Sequence, residues 1–318
     1  MSMSKNTMYA ISQSAFGGPE VLGEVETARP DPIGNEILVA VHAAGLNPTD
    51  WKHRAGMMRV GEPPFTLGWD VSGVVEAVGA GVTGHEPGDE VFGMLPYPNG
   101  HGAHAEYVTA PARAFVPKPS SLSHVEAAAL PLVSMTAWQA IVDTAEVRPG
   151  QRVLVHAAAG GVGHVAVQIA KARGAYVIGT ASAAKHDFVT SLGADEVIDY
   201  RTQDFVAEAR DVDLVLDPFL GEDRLRSLET LKPGGLLLSI LPIDFAQVEA
   251  RATELGVRAK AMQVEYDHTG MAGVAALVES GRLRPHVSGT YPLAEAAKAH
   301  AEGETGRVVG KLVLRVRP

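Results

Sequence analysis

Residues 155–171, VHAAAGGVGHVAVQIAK, run from an apolar stretch through three glycines into an amphipathic pattern. Ala158, Gly160 and Gly163 have the spacing of G-x-G-x-x-G with alanine in first place, and Gly161 and Val162 fill the interval. A middle glycine lets backbone approach a pyrophosphate, and the last lets the helix pack close to the preceding strand. The N–H groups and dipole of the helix that follows favour the anion. A plain strand-to-helix corner has the same spacing, so context must decide. A strand is predicted before the corner, and a helix with Val165, Ile169 and Ala172 along one side follows it. That is the setting of a dinucleotide site.

The end of the next strand is where an acidic residue would bind the ribose 2′-hydroxyl of NADH. Here the chain reads GTASAAKHD, with no acid from Thr180 to His186 but with Ser182 and Lys185. A hydroxyl and an ammonium attract a 2′-phosphate that a carboxylate would repel. NADPH is therefore the expected cofactor; the competing reading of Lys185 is a solvated helix lysine.

These residues need elements to hold them. From 151 onward strands and helices alternate: QRVLVHA, a helix from about Gly161, AYVIGT, a helix near 184–192, EVIDY, VDLVLD, a helix near 222–231, and GLLLSI. This pattern predicts βαβ units and a doubly wound parallel sheet. The first third, in contrast, has short Val-, Gly- and Pro-rich strands such as EILVAVHAAGLN and WDVSGVVEAVG, which predict a small antiparallel barrel or sandwich. PYPNGHGAH (96–104) is the one long turn-like stretch. Ser123 and Glu126 have capping-box spacing. The last stretch returns to strand–helix–strand, placed to rejoin the first domain.

Composition sets limits. The 318 residues carry 27 Lys plus Arg against 37 Asp plus Glu, a net charge of -10, which disfavours nucleic acid and anionic lipid as partners. There are no cysteines, so disulfides, thiolate nucleophiles and sulfur-ligated zinc are excluded. The start, MSMSKNTMYAISQ, has no apolar h-region, and no run approaches the ~18 apolar residues of a membrane span. A soluble cytoplasmic protein is expected.

Taken together, FGGPEVL (16–22), AAGLNPTDWKHRAG (43–56), LGWDVSGVVEAVGAGV (67–82), PGDEVFGM (87–94), AAALPLVSMTAWQAI (127–141), AAAGGVGHVAVQIAK, LGADEVIDY (192–200), LKPGGLLLSI (231–240) and GKLVL (310–314) resemble the medium-chain dehydrogenase/reductases. The resemblance is to their zinc-independent quinone oxidoreductase branch. It implies an α/β protein with a GroES-like β-barrel catalytic domain, residues 1–120 completed by 267–318, and a Rossmann NADPH-binding domain, 121–266. In zinc-dependent relatives a cysteine and a histidine ligate the metal at the positions that read Asn47 and Trp69 here, so no metal site is expected. The loop histidines His101 and His104, lacking a third ligand, read as surface residues.

Without a Lewis acid the site must act by positioning and hydrogen bonding on an acceptor that is already electrophilic, a quinone or an α,β-unsaturated ketone. The resemblance implies Asn47 facing nicotinamide or acceptor, the alternative being an Asn-Pro turn residue. Lys52 is placed to present an ammonium to the acceptor oxygen or the cofactor ribose, unless it is a surface lysine. Trp51 and Trp69 are candidate pocket walls, Trp69 equally a core residue, and Asp50 holds the turn. Thr136 would lie near the nicotinamide and Tyr200 beside the adenosine phosphate. A small-molecule acceptor and a homodimer follow from the resemblance. Two rival readings stand beside the reductase: an enoyl-thioester reductase, and an NADPH-binding protein without turnover.

Overall fold

The computed structural model describes residues 7–58 and 60–318, so the first six residues of the amino-terminal segment lie outside it. The chain opens with β1 (Thr7–Gln13), β2 (Leu22–Ala28), β3 (Glu36–Gly45), α1 (Pro48–Arg54), β4 (Phe65–Thr66), β5 (Asp70–Val78), β6 (Glu90–Met94), β7 (Tyr107–Pro111), β8 (Phe115–Pro117), α2 (His124–Ala128) and α3 (Pro131–Trp138). It continues through β9 (Arg152–Val155), α4 (Gly161–Ala172), β10 (Tyr176–Ala181), α5 (His186–Ser191), β11 (Glu196–Asp199), α6 (Phe205–Glu208), β12 (Val212–Asp217), α7 (Glu222–Ser227), β13 (Leu231–Ser239), α8 (Ala246–Leu255) and β14 (Arg258–Ala261). It closes with α9 (His268–Glu279), β15 (Val287–Pro292), α10 (Ala296–Glu304) and β16 (Lys311–Arg315).

Two compact units result. Among the described residues the first comprises those up to 132 together with 265–279 and 285–318; the second, 133–264 with 280–284.

In the first unit a seven-stranded sheet runs β15-β16-β3-β5-β6-β8, with β7 also paired to β3, and a three-stranded sheet runs β2-β1-β4. β3 is the centre: valine-rich, buried on both faces, and paired antiparallel to β5, β7 and β16. The β16 pairing is how the carboxyl-terminal stretch rejoins the amino-terminal one. α2 belongs to this unit because Ala128 and Ala129 pack with Ala43 and Val313. It starts where the spacing indicated: the Ser123 N–H donates to Glu126 Oε2 at 2.9 Å, and the Glu126 N–H donates to Ser123 Oγ at 3.3 Å.

The second unit is a six-stranded parallel sheet, β11-β10-β9-β12-β13-β14. Its core joins Leu154, Ile178, Val215 and Leu237 from four strands with Phe205, Leu228 and Val248 from the segments that cover them. The order reverses direction between β9 and β12, which opens a crevice at the strands' carboxyl ends. The helix expected near 184–192 begins as a tight turn over Ala183–Lys185 and continues as α5 to Ser191. The one expected near 222–231 ends as α7 at Ser227 and finishes in a turn over Leu228–Thr230. Among the described residues no helix is long and apolar enough to cross a membrane.

Candidate active-site elements in the two units

In the parallel-sheet unit the glycine corner is built as the spacing requires. Ala157 turns the chain at φ 49°, and Ala158 N–H donates to Thr180 O at 2.9 Å, locking the corner against β10. Gly160 caps α4 in extended conformation. A Cβ at Gly163 would lie 2.3 Å from Ala157 O, so only glycine lets the helix come this close. Gly161 and Val162 occupy the first turn, where backbone N–H groups have no intrahelical acceptor and the positive end of the dipole is presented.

Beside the corner lies a cavity of about 360 Å³ lined by His156, Thr180, Tyr200, Arg201, Phe205, Phe219 and neighbours. His156 is fixed on both sides: Nδ1 is 3.1 Å from Thr180 Oγ1 and Nε2 is 3.0 Å from Ser227 Oγ. Ser227 Oγ donates to Asp223 O, so it accepts from His156 Nε2–H, and Nδ1 accepts from Thr180. Burial pushes the His156 pKa down to about 3, which keeps that single tautomer neutral. Phe205 and Phe219 each stand 4.9 Å from its ring. The Arg226 guanidinium lies 5.0 Å over Phe205 and bonds Asp204 at 2.6 Å.

Ser182 and Tyr200 leave adjacent strand ends at one level, since Ala181 pairs with Asp199. Ser182 is buried and Tyr200 is 56% exposed; Lys185 is half-buried one short turn beyond Ser182. Asp199, at the end of β11, accepts the Arg201 N–H at 3.1 Å and the Thr202 hydroxyl at 3.2 Å. Thr136 is buried on α3.

In the other unit Asn47 is the residue before α1, and both ends of its amide are hydrogen-bonded. Nδ2 donates to Asp70 Oδ2 at 2.9 Å, and Oδ1 accepts from Lys311 Nζ at 2.5 Å. Lys311 also donates to Leu46 O at 2.6 Å, and Asp70 Oδ1 accepts the Leu132 N–H at 2.7 Å. Burial raises the Asp70 pKa and lowers that of Lys311, while their mutual attraction opposes both shifts. Asp50 does hold the turn: its Oδ2 accepts the Asn47 N–H at 2.6 Å, and burial raises its pKa to about 8.

Lys52 is half-buried on α1, and burial lowers its pKa. Among the described residues its ammonium has no hydrogen-bond or ion-pair partner. Trp51 packs on α10, where a Cβ at Gly303 would fall 2.6 Å from the indole. The Trp69 ring is wholly buried, ringed by His53 at 5.1 Å, Tyr97 at 5.3 Å and His101 at 6.3 Å, so it backs the half-buried Tyr97 rather than lining open space. The Tyr97 hydroxyl is 3.1 Å from Thr49 Oγ1.

The surface reading of the loop histidines is corrected. His104 is fully buried, its pKa pushed down to about 3, because backbone bonds to Gly68 and Leu67 fold the 96–104 loop inward. His101 is half-buried and bonds Thr66 O through Nδ1 at 2.7 Å. Sequence reasoning missed Asp70, Lys311 and the Thr49–Tyr97 pair. For Asp70 the only signal was an acid beside the Trp69 position.

A mixed sheet unit of this topology and a six-stranded nucleotide-type unit define the medium-chain dehydrogenase/reductase class. Residues 33–120 match the alcohol dehydrogenase GroES-like domain and 192–314 the zinc-binding dehydrogenase family. A quinone oxidoreductase from Coxiella burnetii is 39% identical, with 98% of this chain and 100% of that one covered at TM-score 0.93. The Escherichia coli quinone oxidoreductase complexed with NADPH is 30% identical, covering 97% and 100% at TM-score 0.87. The CurK enoyl reductase is also 30% identical, covering 99% and 100% at TM-score 0.89. The chain belongs to the zinc-independent quinone oxidoreductase-like family and is an oxidoreductase of that family.

Proposed function

We propose that the protein is an NADPH-dependent reductase of a quinone or an α,β-unsaturated ketone. The observation that carries this is the cavity at the β9/β12 crevice, adjoining the glycine corner and lined by Thr180 and Tyr200 at the ends of β10 and β11, with Ser182 following at the end of β10. Its volume suits an adenosine group, and the half-buried Phe219 offers an apolar ring to a base. Ala158 and the Gly160–Gly163 turn hold the pyrophosphate; Ser182, Lys185 and Tyr200 hold the 2′-phosphate. That the E. coli relative was crystallised with NADPH supports the same choice.

The reduced nicotinamide, when bound, supplies a hydride. The chain's own part is to hold the acceptor and the charge that develops on its oxygen. Lys52, a partly desolvated ammonium with no protein partner among the described residues, is the group for that oxygen. Thr136 is the proposed cofactor-domain contact to the nicotinamide; Asn47, bound to Asp70 and Lys311, shapes its own unit's part of the site. Trp69 acts by backing Tyr97. The first unit is the catalytic domain and the second the cofactor domain of a cytoplasmic homodimer.

A second reading, an enoyl-thioester reductase, is favoured by the CurK neighbour. The test is NADPH oxidation with an ortho-quinone, a medium-chain enone and an enoyl thioester in turn, with NADH as control. Turnover of the quinone or enone supports the proposal. Turnover of the thioester alone selects the second reading, and NADPH binding with no turnover overturns both.

A further inference from the structure

Resting on the nicotinamide-cofactor reading, we propose that Arg224 is a positioning residue that ties together the loops after β12 and β13 and so sets the shape of the cofactor crevice. Arg224 is 2% exposed on α7, and its guanidinium is used almost completely. Nε donates to Asp217 Oδ2 at 2.8 Å, and Nη1 donates to Ile243 O at 2.8 Å. Nη2 donates to Leu241 O at 3.0 Å and to Phe219 O. One planar fork thus joins the end of β12, the loop beyond it and the loop beyond β13. Asp217 completes the tie, its Oδ1 accepting the Phe219 N–H at 3.1 Å and its carbonyl the Ile240 N–H at 3.0 Å.

Two further features connect this tie to ligand binding rather than to folding alone. Phe219, whose carbonyl Arg224 holds, lines the cavity and packs on His156. The two tied loops also present Leu220 and Ile243, exposed by 49% and 45%, apolar side chains that the unit does not use in its own core. A buried ion pair is a poor source of stability when apolar residues could fill the same volume. It does fix geometry, and a guanidinium directs three carbonyls and a carboxylate at once in a way an ammonium cannot.

The experiment measures NADPH and 2′,5′-ADP dissociation constants, KM and kcat, and Tm for the wild type, Arg224→Lys and the doubly neutral Asp217→Asn/Arg224→Gln. Arg224→Lys keeps a cation beside Asp217 and so decides the matter should the double variant fail to fold. We expect it to stay folded with a lowered Tm, to weaken NADPH binding and raise the NADPH KM by about tenfold, and to leave the acceptor KM unchanged. If the folded variants bind both nucleotides and show an NADPH KM within about twofold of wild type while only Tm falls, Arg224 is merely structural and the inference is overturned. A wild type that binds neither nucleotide defeats the nicotinamide reading itself, a result distinct from the first because it needs no variant.

Discussion

Lys311 Nζ lies 3.3 Å from Asp70 Oδ2, and the two side chains are 2% and 0% exposed. They come from the first residue of β16 and the first of β5, so the chain's last strand is fastened by charge at the depth where Asn47 begins α1. Removing one partner leaves the other charged and dry. Lys311→Met is predicted to cost about 3–5 kcal/mol in urea unfolding. The double variant Asp70→Asn/Lys311→Met should cost clearly less than the single one, and a double-mutant cycle reads the difference.

Asp50 has a folded pKa of about 8 against an ordinary 3.8, raised by burial. Its proton is bound more tightly in the folded state, so its contribution is complete below pH 3.8 and is lost as pH rises through about 8. Asp50→Asn, which keeps an acceptor for the Asn47 N–H, should therefore gain stability relative to wild type as pH climbs through that window. Chemical denaturation of both proteins along a pH series checks the sign.

His104 shifts the opposite way, from 6.5 to about 3, by burial alone. The unfolded chain takes up the proton first, so this stabilisation is present above pH 6.5 and is lost as pH falls toward 3. His156, also lowered to about 3, acts in the same window from the other unit. His104→Phe keeps a ring and removes the titration; its acid-unfolding limb should be shallower than that of wild type when Tm is followed from pH 7 to 4.

Cofactor choice is predicted to sit at the ends of β10 and β11. Lys185→Ala should lower kcat/KM for NADPH by roughly tenfold, the worth of one charge-assisted hydrogen bond, and leave NADH little changed. Ser182→Asp should reduce NADPH use further and raise NADH use. Equal losses with both nucleotides would show that these side chains do not read the 2′-position.

What could be read from the sequence follows how local each constraint is. The glycine corner was legible because the close approach at Gly163 is dictated within six residues, and the strands of the parallel sheet because they are buried on both faces and hence continuously apolar. Ser123 and Glu126 announced their helix in the same way. The Asn47–Asp70–Lys311 network joins residues 264 apart in sequence at its longest bond, and no local pattern encodes such a pair. His104 was misread because a Gly- and His-rich loop looks solvated until its backbone bonds to Leu67 and Gly68 turn it inward. That the Asn47 amide bonds Asp70 and Lys311 was not legible, because both partners are remote in sequence.

The most direct test of hydride transfer from NADPH uses cofactor deuterated at C4 in each of its two stereochemical forms, with the acceptor that turns over. The NADP+ formed is analysed by mass spectrometry. A fixed nicotinamide face predicts that one labelled form yields deuterium-free NADP+ while the other retains its label in full. Equal loss from both forms, or no NADP+ with any conjugated acceptor, would contradict the account.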